Sequence, residues 1–126
     1  MNTPPSFFRL ARDASLLSSS RRTKVGAVLV NKRPVVFGFN KFKSHTKYAN
    51  PEIHAKISVH AEIDCIIEAK DKDIRGWSVY VYREDCNGAV ANSRPCEDCL
   101  TELKKRGIRK IYFTTKTFPF WNMEYI

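Results

Sequence analysis

Four residues in two short stretches of the sequence have types and spacing suited to metal-assisted chemistry. His60 and Glu62 are two residues apart, and Cys96 and Cys99 are three residues apart, directly after Pro95. Two thiols three residues apart lie on one face of a helix and can share one tetrahedral zinc ion, and His60 supplies a third ligand. Three protein ligands leave one coordination position open, which is typical of a catalytic rather than a structural zinc site.

Glu62 is predicted to work beside the zinc rather than to bind it. Residues two apart on a helix are separated by about 200° around its axis. His60 and Glu62 would therefore flank an apolar stripe that includes Ile63 and Ile66. A carboxylate next to a zinc-activated water can carry protons to and from a substrate. The alternative is a structural zinc site closed by Cys86 as fourth ligand, which would leave Glu62 idle.

Apolar residues at helical spacing predict the helices that carry these side chains. The first predicted helix has the face Phe7, Leu10, Ala11, Ala14 and Leu17, and it ends at the serine run 18–20. The second has the face Val59, Ile63, Ile66 and Ile67 and ends near Lys70. The third begins with Pro95 in its first position, ends at Gly107, and has the face Cys96, Cys99, Leu100 and Leu103.

Strands are predicted between these helices from runs of β-branched and aromatic residues. The predicted strands are Val25–Val30, Val35–Phe39, Trp77–Tyr82 and Ile108–Phe113. A turn at Asn31–Pro34 joins the first two into a hairpin, and Asn87-Gly88 predicts a second reversal of the chain. Residues 117–126 receive no assignment. The order α-β-β-α-β-α-β predicts an α/β fold with helices covering a sheet.

The composition is that of an ordinary globular domain with a large positive charge. We expect one domain spanning residues 1–126, because 43% hydrophobic and 28% charged residues exclude a disordered chain, a collagen and a disulfide-rich miniature protein. The chain has no apolar run that spans a membrane and no signal-peptide pattern, so a cytoplasmic location is expected. The net charge of +9 indicates a phosphate-bearing partner, although a solvated basic surface also accounts for it.

The combined order His-x-Glu … Pro-Cys-x-x-Cys is the signature of zinc-dependent deaminases. The chain resembles the cytidine/deoxycytidylate deaminase superfamily, and dCMP deaminases most closely, in residues 23–30, 38–40, 59–62, 76–81, 95–99 and 107–112. The resemblance implies a three-layer α/β/α sandwich with a mixed sheet of about five strands. It also implies Zn²⁺ between two helix N-termini and hydrolytic deamination of cytosine to uracil, with Glu62 moving the protons.

The substrate-binding residues are predicted partly from this resemblance. It implies that Asn40 contacts the sugar of the substrate, whereas the position of Asn40 alone favours a turn residue at a strand end. Ala61, inside the His-x-Glu motif, belongs to the same predicted substrate-binding set. Four basic residues flank the expected pocket and are candidates for phosphate contacts, with a solvated basic loop as the alternative: Lys41, Lys43, Lys47 and Arg94.

Two segments depart from the family's usual pattern. Residues 82–94, between the third predicted strand and the cysteine motif, form a longer link than is usual, so we expect an insertion near the zinc. The loop 41–58 also differs from the common one. His45 and His54 with Cys86 are candidates for a second metal site of the kind that some dCMP deaminases have, but ordinary loop residues are the favoured interpretation.

Three functions compete. The first is deamination of a free nucleotide, with dCMP as the expected substrate. The second is deamination of a base within single-stranded DNA or RNA, which the charge and the aromatic residues Phe42 and Tyr48 among the lysines favour. The third is a catalytically silent, zinc-stabilised nucleic-acid-binding module, and an intact Glu62 argues against it. A homo-oligomer is expected for the enzyme.

Overall fold

The computed structural model describes residues 5–18, 20, 23–42 and 58–126. Within these ranges the chain forms three helices and seven strands. In chain order they are α1 (Phe7–Ser15), β1 (Lys24–Asn31), β2 (Arg33–Phe39), β3 (Lys41–Phe42), β4 (Ser58–Val59), α2 (Ala61–Ala69), β5 (Ser78–Glu84), α3 (Glu97–Lys105), β6 (Lys110–Thr114) and β7 (Trp121–Tyr125).

Five strands form a mixed sheet in the order β2-β1-β5-β6-β7. Only the β5–β6 pair is parallel; the other three pairs are antiparallel. The two-residue strands β3 and β4 pair with each other at the two ends of the predicted loop. The helix α3 connects the two parallel strands, as such a crossover requires. The predicted α/β class and mixed sheet of about five strands are therefore confirmed.

Successive residues of the central strands point to opposite faces of the sheet, and both faces are buried. Ala27 and Leu29 of β1 pack with α2 and α3 in an aliphatic cluster. Val28 and Val30 of the same strand pack on the other side, with α1 and with tyrosines of β5. The result is the three-layer sandwich that the resemblance implied, with α1 on one face and the pair α2 and α3 on the other.

The buried face of α1 differs from its prediction. Phe8, Ala11, Ala14 and Ser15 are buried, whereas Leu17 is exposed because the helix already ends at Ser15. The cause is a close approach between this helix and β1 at Gly26. A Cβ on Gly26 would overlap the carbonyl oxygen of Ala11 and the amide nitrogen of Ser15. Such proximity selects small side chains on the facing side of α1.

The predicted apolar face of α2 is only partly confirmed, for the same physical reason: Ile66 packs against the core, but it is only half-buried. Ala61, Cys65 and Ala69, at intervals of four residues, are buried against the sheet, whereas Ile67 is exposed. This helix passes so close to Gly38 of β2 that an added Cβ would lie 2.7 Å from the amide nitrogen of Cys65 and 2.9 Å from its Sγ. The small residues therefore make the closest contact with the sheet, and the isoleucines lie beside it or, in the case of Ile67, on the surface.

Both predicted chain reversals are present. The β1–β2 hairpin turns at Lys32, which has a left-handed φ of 64°. Gly88, with φ of 80°, occupies the second reversal, where its N–H donates to the carbonyl of Asp85. That reversal is followed by an isolated bridge between Glu84 and Val90 rather than by a new strand. Residues 85–94, most of the predicted insertion 82–94, link β5 to the start of α3 and are called the inserted segment below.

The unassigned tail contributes the edge strand β7, which pairs antiparallel with β6 from Thr114–Trp121 to Lys110–Tyr125. Its sequence, Trp-Asn-Met-Glu-Tyr, alternates apolar and polar residues as a half-buried strand does, so a signal for it was present. None of the helices in the described ranges is long and apolar enough to cross a membrane.

Candidate active site

The predicted metal ligands lie at the first residues of two helices that touch each other. His60 is the N-cap of α2 and Cys96 the N-cap of α3, both with extended backbone (ψ of 152° and 167°), and Cys99 is the third residue of α3. The helix α3 thus begins at Glu97, two residues later than predicted from Pro95. The extended cap residues, rather than a shared helical face, let the side chains converge.

The three donor atoms form a compact group. Nδ1 of His60 lies 3.3 Å from Sγ of Cys99 and 3.7 Å from Sγ of Cys96, and all three atoms lie within 4.8 Å of one another. Ligands of one tetrahedral zinc, at their usual bond lengths, are separated by about 3.5–3.8 Å. One imidazole nitrogen and two thiol sulfurs therefore fit Zn²⁺ in both donor type and spacing. Cys86 is exposed and stands apart from this group.

Glu62 is the second residue of α2 and is only 4% exposed. Burial raises the pKa of its carboxyl above the ordinary value, while the neighbouring His60 and Cys99 act in the opposite direction. Burial also raises the pKa of the Cys99 thiol, and the carboxylate of Glu62 adds to that effect. A cation bound by Cys99 would instead lower the pKa of this thiol, because coordination deprotonates a thiol.

A cavity of about 390 Å³ opens beside the cluster, within the size range of small-molecule sites. His60, Glu62 and Cys96 are among the residues that line it. It lies where the carboxyl end of β5 meets the N-termini of α2 and α3, the usual location of ligands in folds with parallel strand pairs. Three residues that were predicted to contact the substrate line this cavity: Asn40, Ala61 and Arg94.

The Asn40 side chain is held by the backbone at the start of β1. Its Oδ1 accepts a hydrogen bond from the N–H of Val25 at 2.9 Å, and its Nδ2 donates to the carbonyl of Thr23 at 3.1 Å. The amide thus performs the strand-end role expected from its position, while the residue also lines the cavity. The two interpretations of Asn40 are compatible, since Nδ2 carries a second hydrogen.

The basic candidates have different surroundings. Arg94 lines the cavity, but its guanidinium makes two hydrogen bonds to the carboxylate of Glu124, at 2.8 and 3.1 Å. Nζ of Lys41 lies 3.0 Å from Oδ1 of buried Asp64, an ion pair rather than an aligned hydrogen bond. Lys43 lies outside the described residues, as do three other residues considered above: His45, Lys47 and His54.

Several residues in and beside the inserted segment line the substrate cavity, although the sequence did not predict them as parts of the site. Arg83, Asn92 and Ser93 line the cavity with Arg94. Ser93 also anchors the segment: its buried Oγ donates to the carbonyl of Val81 at 2.7 Å and accepts from the N–H of Thr114 at the same distance. The only sequence signal was the unusual length of residues 82–94 directly before the cysteine motif.

Comparison with known proteins assigns the chain to a family. The family model for the cytidine and deoxycytidylate deaminase zinc-binding region matches residues 1–115. The chain belongs to this family. Accordingly, it is a zinc-dependent hydrolytic deaminase, and the cluster of His60, Cys96 and Cys99 fits the zinc that the family binds. No curated protein matches the chain in sequence.

Solved structures of deaminases have the same fold. Cytidine deaminase from Burkholderia pseudomallei is 19% identical, with a TM-score of 0.68 over 98% of this chain and 92% of that one. The dCMP deaminase of the cyanophage S-TIM5 is 21% identical in its apo form, with a TM-score of 0.64 over 90% of this chain and 82% of that one. Its complex with dCMP and dUMP aligns with a TM-score of 0.60, at 20% identity, over 84% and 76% of the two chains.

Proposed function

We propose that this deaminase acts on the cytosine base of a free nucleotide and converts dCMP to dUMP. The observation that carries the proposal is the composition of the cavity lining. It includes the metal ligands His60 and Cys96 and the carboxylate of Glu62 together with the side chains of Arg83 and Arg94. A base bound at the cluster would leave its sugar and phosphate among polar and cationic groups. Guanidinium groups are well suited to phosphate, because they match its oxygens in geometry and charge.

The chemistry follows from the metal cluster and Glu62. His60, Cys96 and Cys99 would hold the zinc ion, which would supply Lewis-acid activation of water. Glu62 accepts a proton from the attacking water and delivers it to N3 of the cytosine ring. It then takes the proton of the new hydroxyl group at C4 and hands it to the departing amine, so that the C4 carbonyl of uracil forms as ammonia leaves. Its burial favours this role, since a carboxyl with a raised pKa exchanges protons more readily near neutral pH.

The remaining lining residues orient the substrate in this proposal. Asn40 keeps one amide hydrogen for the sugar while its other bonds hold it to β1. Ala61 is fully buried, and it belongs to the cavity lining together with its neighbours His60 and Glu62. Lys43 and Arg94 stay predicted phosphate contacts, and the cytoplasmic location and homo-oligomer stay predictions from the sequence.

A substrate screen tests the proposal directly. Zinc-loaded protein is incubated with dCMP, CMP, dCTP, deoxycytidine, cytidine and a cytosine-containing single-stranded oligonucleotide, and ammonia release and uracil formation are measured. We expect the highest kcat/KM for dCMP. Deamination of the oligonucleotide with none of dCMP would support the polynucleotide alternative, and equal use of nucleotide and nucleoside would contradict a phosphate requirement.

A further inference from the structure

Arg83 occupies a position in the sheet that faces the substrate cavity. It follows Val79 and Val81 on the face of β5 that packs against α2 and α3. In the antiparallel register its partner on β1 is Val25, whose N–H donates to the side chain of Asn40. Neighbouring strands are about 4.8 Å apart. Arg83 therefore lies next to Val25, the residue that holds the side chain of Asn40.

The guanidinium of Arg83 has few partners compared with that of Arg94. Its Nε is shielded from solvent and has no hydrogen-bond partner among the described residues. One terminal nitrogen donates weakly, at 3.5 Å, to the carbonyl of Asn92, and no described carboxylate pairs with it. A half-buried charge without a counterion is unfavourable, so an anion in the cavity would stabilise it.

The backbone of Arg83 is fixed on both sides. Its carbonyl accepts from the N–H of Ala91 in the inserted segment at 2.9 Å. Its N–H points to Oγ1 of Thr114 on β6 at 3.4 Å, and this threonine belongs to the buried hydrogen-bond network around Ser93. The side chain thus projects into the cavity from a rigid base, a property of sites that discriminate between ligands.

We propose that Arg83 binds the phosphate of the substrate and makes the enzyme select a nucleotide over its nucleoside. The proposal rests on the cytosine-nucleotide deamination proposed above. Arg94 lines the same cavity and stays a candidate for a second phosphate contact, but its guanidinium is already paired with Glu124. The phosphate dianion supplies acceptors for the Nε and terminal N–H groups of Arg83, and a neutral nucleoside hydroxyl cannot replace its charge.

The test compares dCMP with deoxycytidine in the zinc-loaded wild type and in Arg83→Met, Arg83→Lys and Arg109→Met. We expect Arg83→Met to raise KM for dCMP by about 10- to 100-fold, as for a lost charge-assisted hydrogen-bond pair, and to change kcat/KM for deoxycytidine by less than about threefold. Arg83→Lys should recover part of the dCMP affinity. Arg109 is exposed and outside the cavity lining, so Arg109→Met should match the wild type for both compounds.

Two results would overturn the role of Arg83, and they are distinguishable. Equal losses on dCMP and deoxycytidine in Arg83→Met would show a structural role and leave the proposed function intact. A wild type that deaminates neither compound would refute the proposed function and the phosphate role with it. Zinc content and thermal melting establish that each variant is folded, and Arg83→Gln replaces the Met variant if that variant does not fold.

Discussion

The two faces of the sheet differ in the side chains that pack there and in their functional roles. One face packs α1 against aromatic rings, among which Tyr80 and Tyr112 are stacked with centroids 4.1 Å apart and Phe8 meets Tyr80 edge to face. The other face packs α2 and α3 against mainly aliphatic side chains and Phe113, and the first residues of both helices carry the metal ligands. The chemistry thus lies entirely on the face where two helices begin side by side.

Both faces nevertheless use the same device to bring a helix close. Gly26 of β1 faces α1, and Gly38 of β2 faces α2, and neither site has room for a Cβ. On the α1 side this close approach only holds the layers together. On the α2 side it also sets the position of His60 and Glu62, which begin the helix. Pairs of variants, with one or both members at the α2 face, can distinguish effects on packing from effects on the metal site.

The largest effect is expected from removing a metal ligand. Cys96→Ala should reduce zinc from one ion per chain to almost none, abolish deamination and lower the melting temperature, because metal binding is coupled to folding. Elemental analysis and a melting curve measure this. Cys86→Ala is the matched control, since that thiol is exposed and separate from the cluster. Zinc loss in the control instead would support the structural site closed by Cys86.

A smaller but still large effect is expected at Glu62. Glu62→Gln keeps the size of the side chain but cannot transfer protons, so kcat should fall by about 10²–10⁴-fold while zinc content stays at one per chain. Glu84→Gln is the control on the opposite face, where this carboxylate accepts from Tyr82 at 2.7 Å and pairs with Arg12. Its activity should stay within a few-fold of the wild type. Activity retained by Glu62→Gln would assign the proton transfers to another group.

The smallest effects are expected from the two glycines. Gly26→Ala and Gly38→Ala should each lower the free energy of unfolding by about 1–3 kcal/mol through overpacking, as measured by urea denaturation of the zinc-loaded protein. Only Gly38→Ala should also weaken zinc binding in a competition titration, because it displaces the start of α2. Equal zinc affinities in the two variants would show that the metal site tolerates movement of this helix.

The metal cluster was predictable because residue type and spacing in two local motifs suffice to specify its donors. The backbone geometry that brings those donors together was harder to predict from the sequence. Rotation around a single helix was expected to separate His60 from Glu62, whereas His60 is an extended cap residue outside the helix. The first residue of a helix is hard to predict from sequence. Pro95 is compatible with a helix that begins at Pro95 and with one that begins at Glu97, as observed.

The buried faces of α1 and α2 were harder to predict because the strongest hydrophobic residues do not mark the tightest contacts. Ala61 and Cys65 face the sheet since Gly38 brings α2 close, and that contact joins residues more than 20 positions apart. Arg83 was missed for a similar reason. Its neighbours in the cavity come from the inserted segment and from β1, and only the strand register brings them together.

The hydrogen bonds of Ser93 have a consequence for how this enzyme can change. They attach the end of the inserted segment to β5 and β6 just before the cysteine motif begins. The exposed turn at Cys86–Gly88 precedes these hydrogen bonds in the chain, whereas Cys96 and Cys99 follow them. We expect that residues added or deleted at this turn leave the two sulfurs in place, so that the length of this connection can change independently of metal binding.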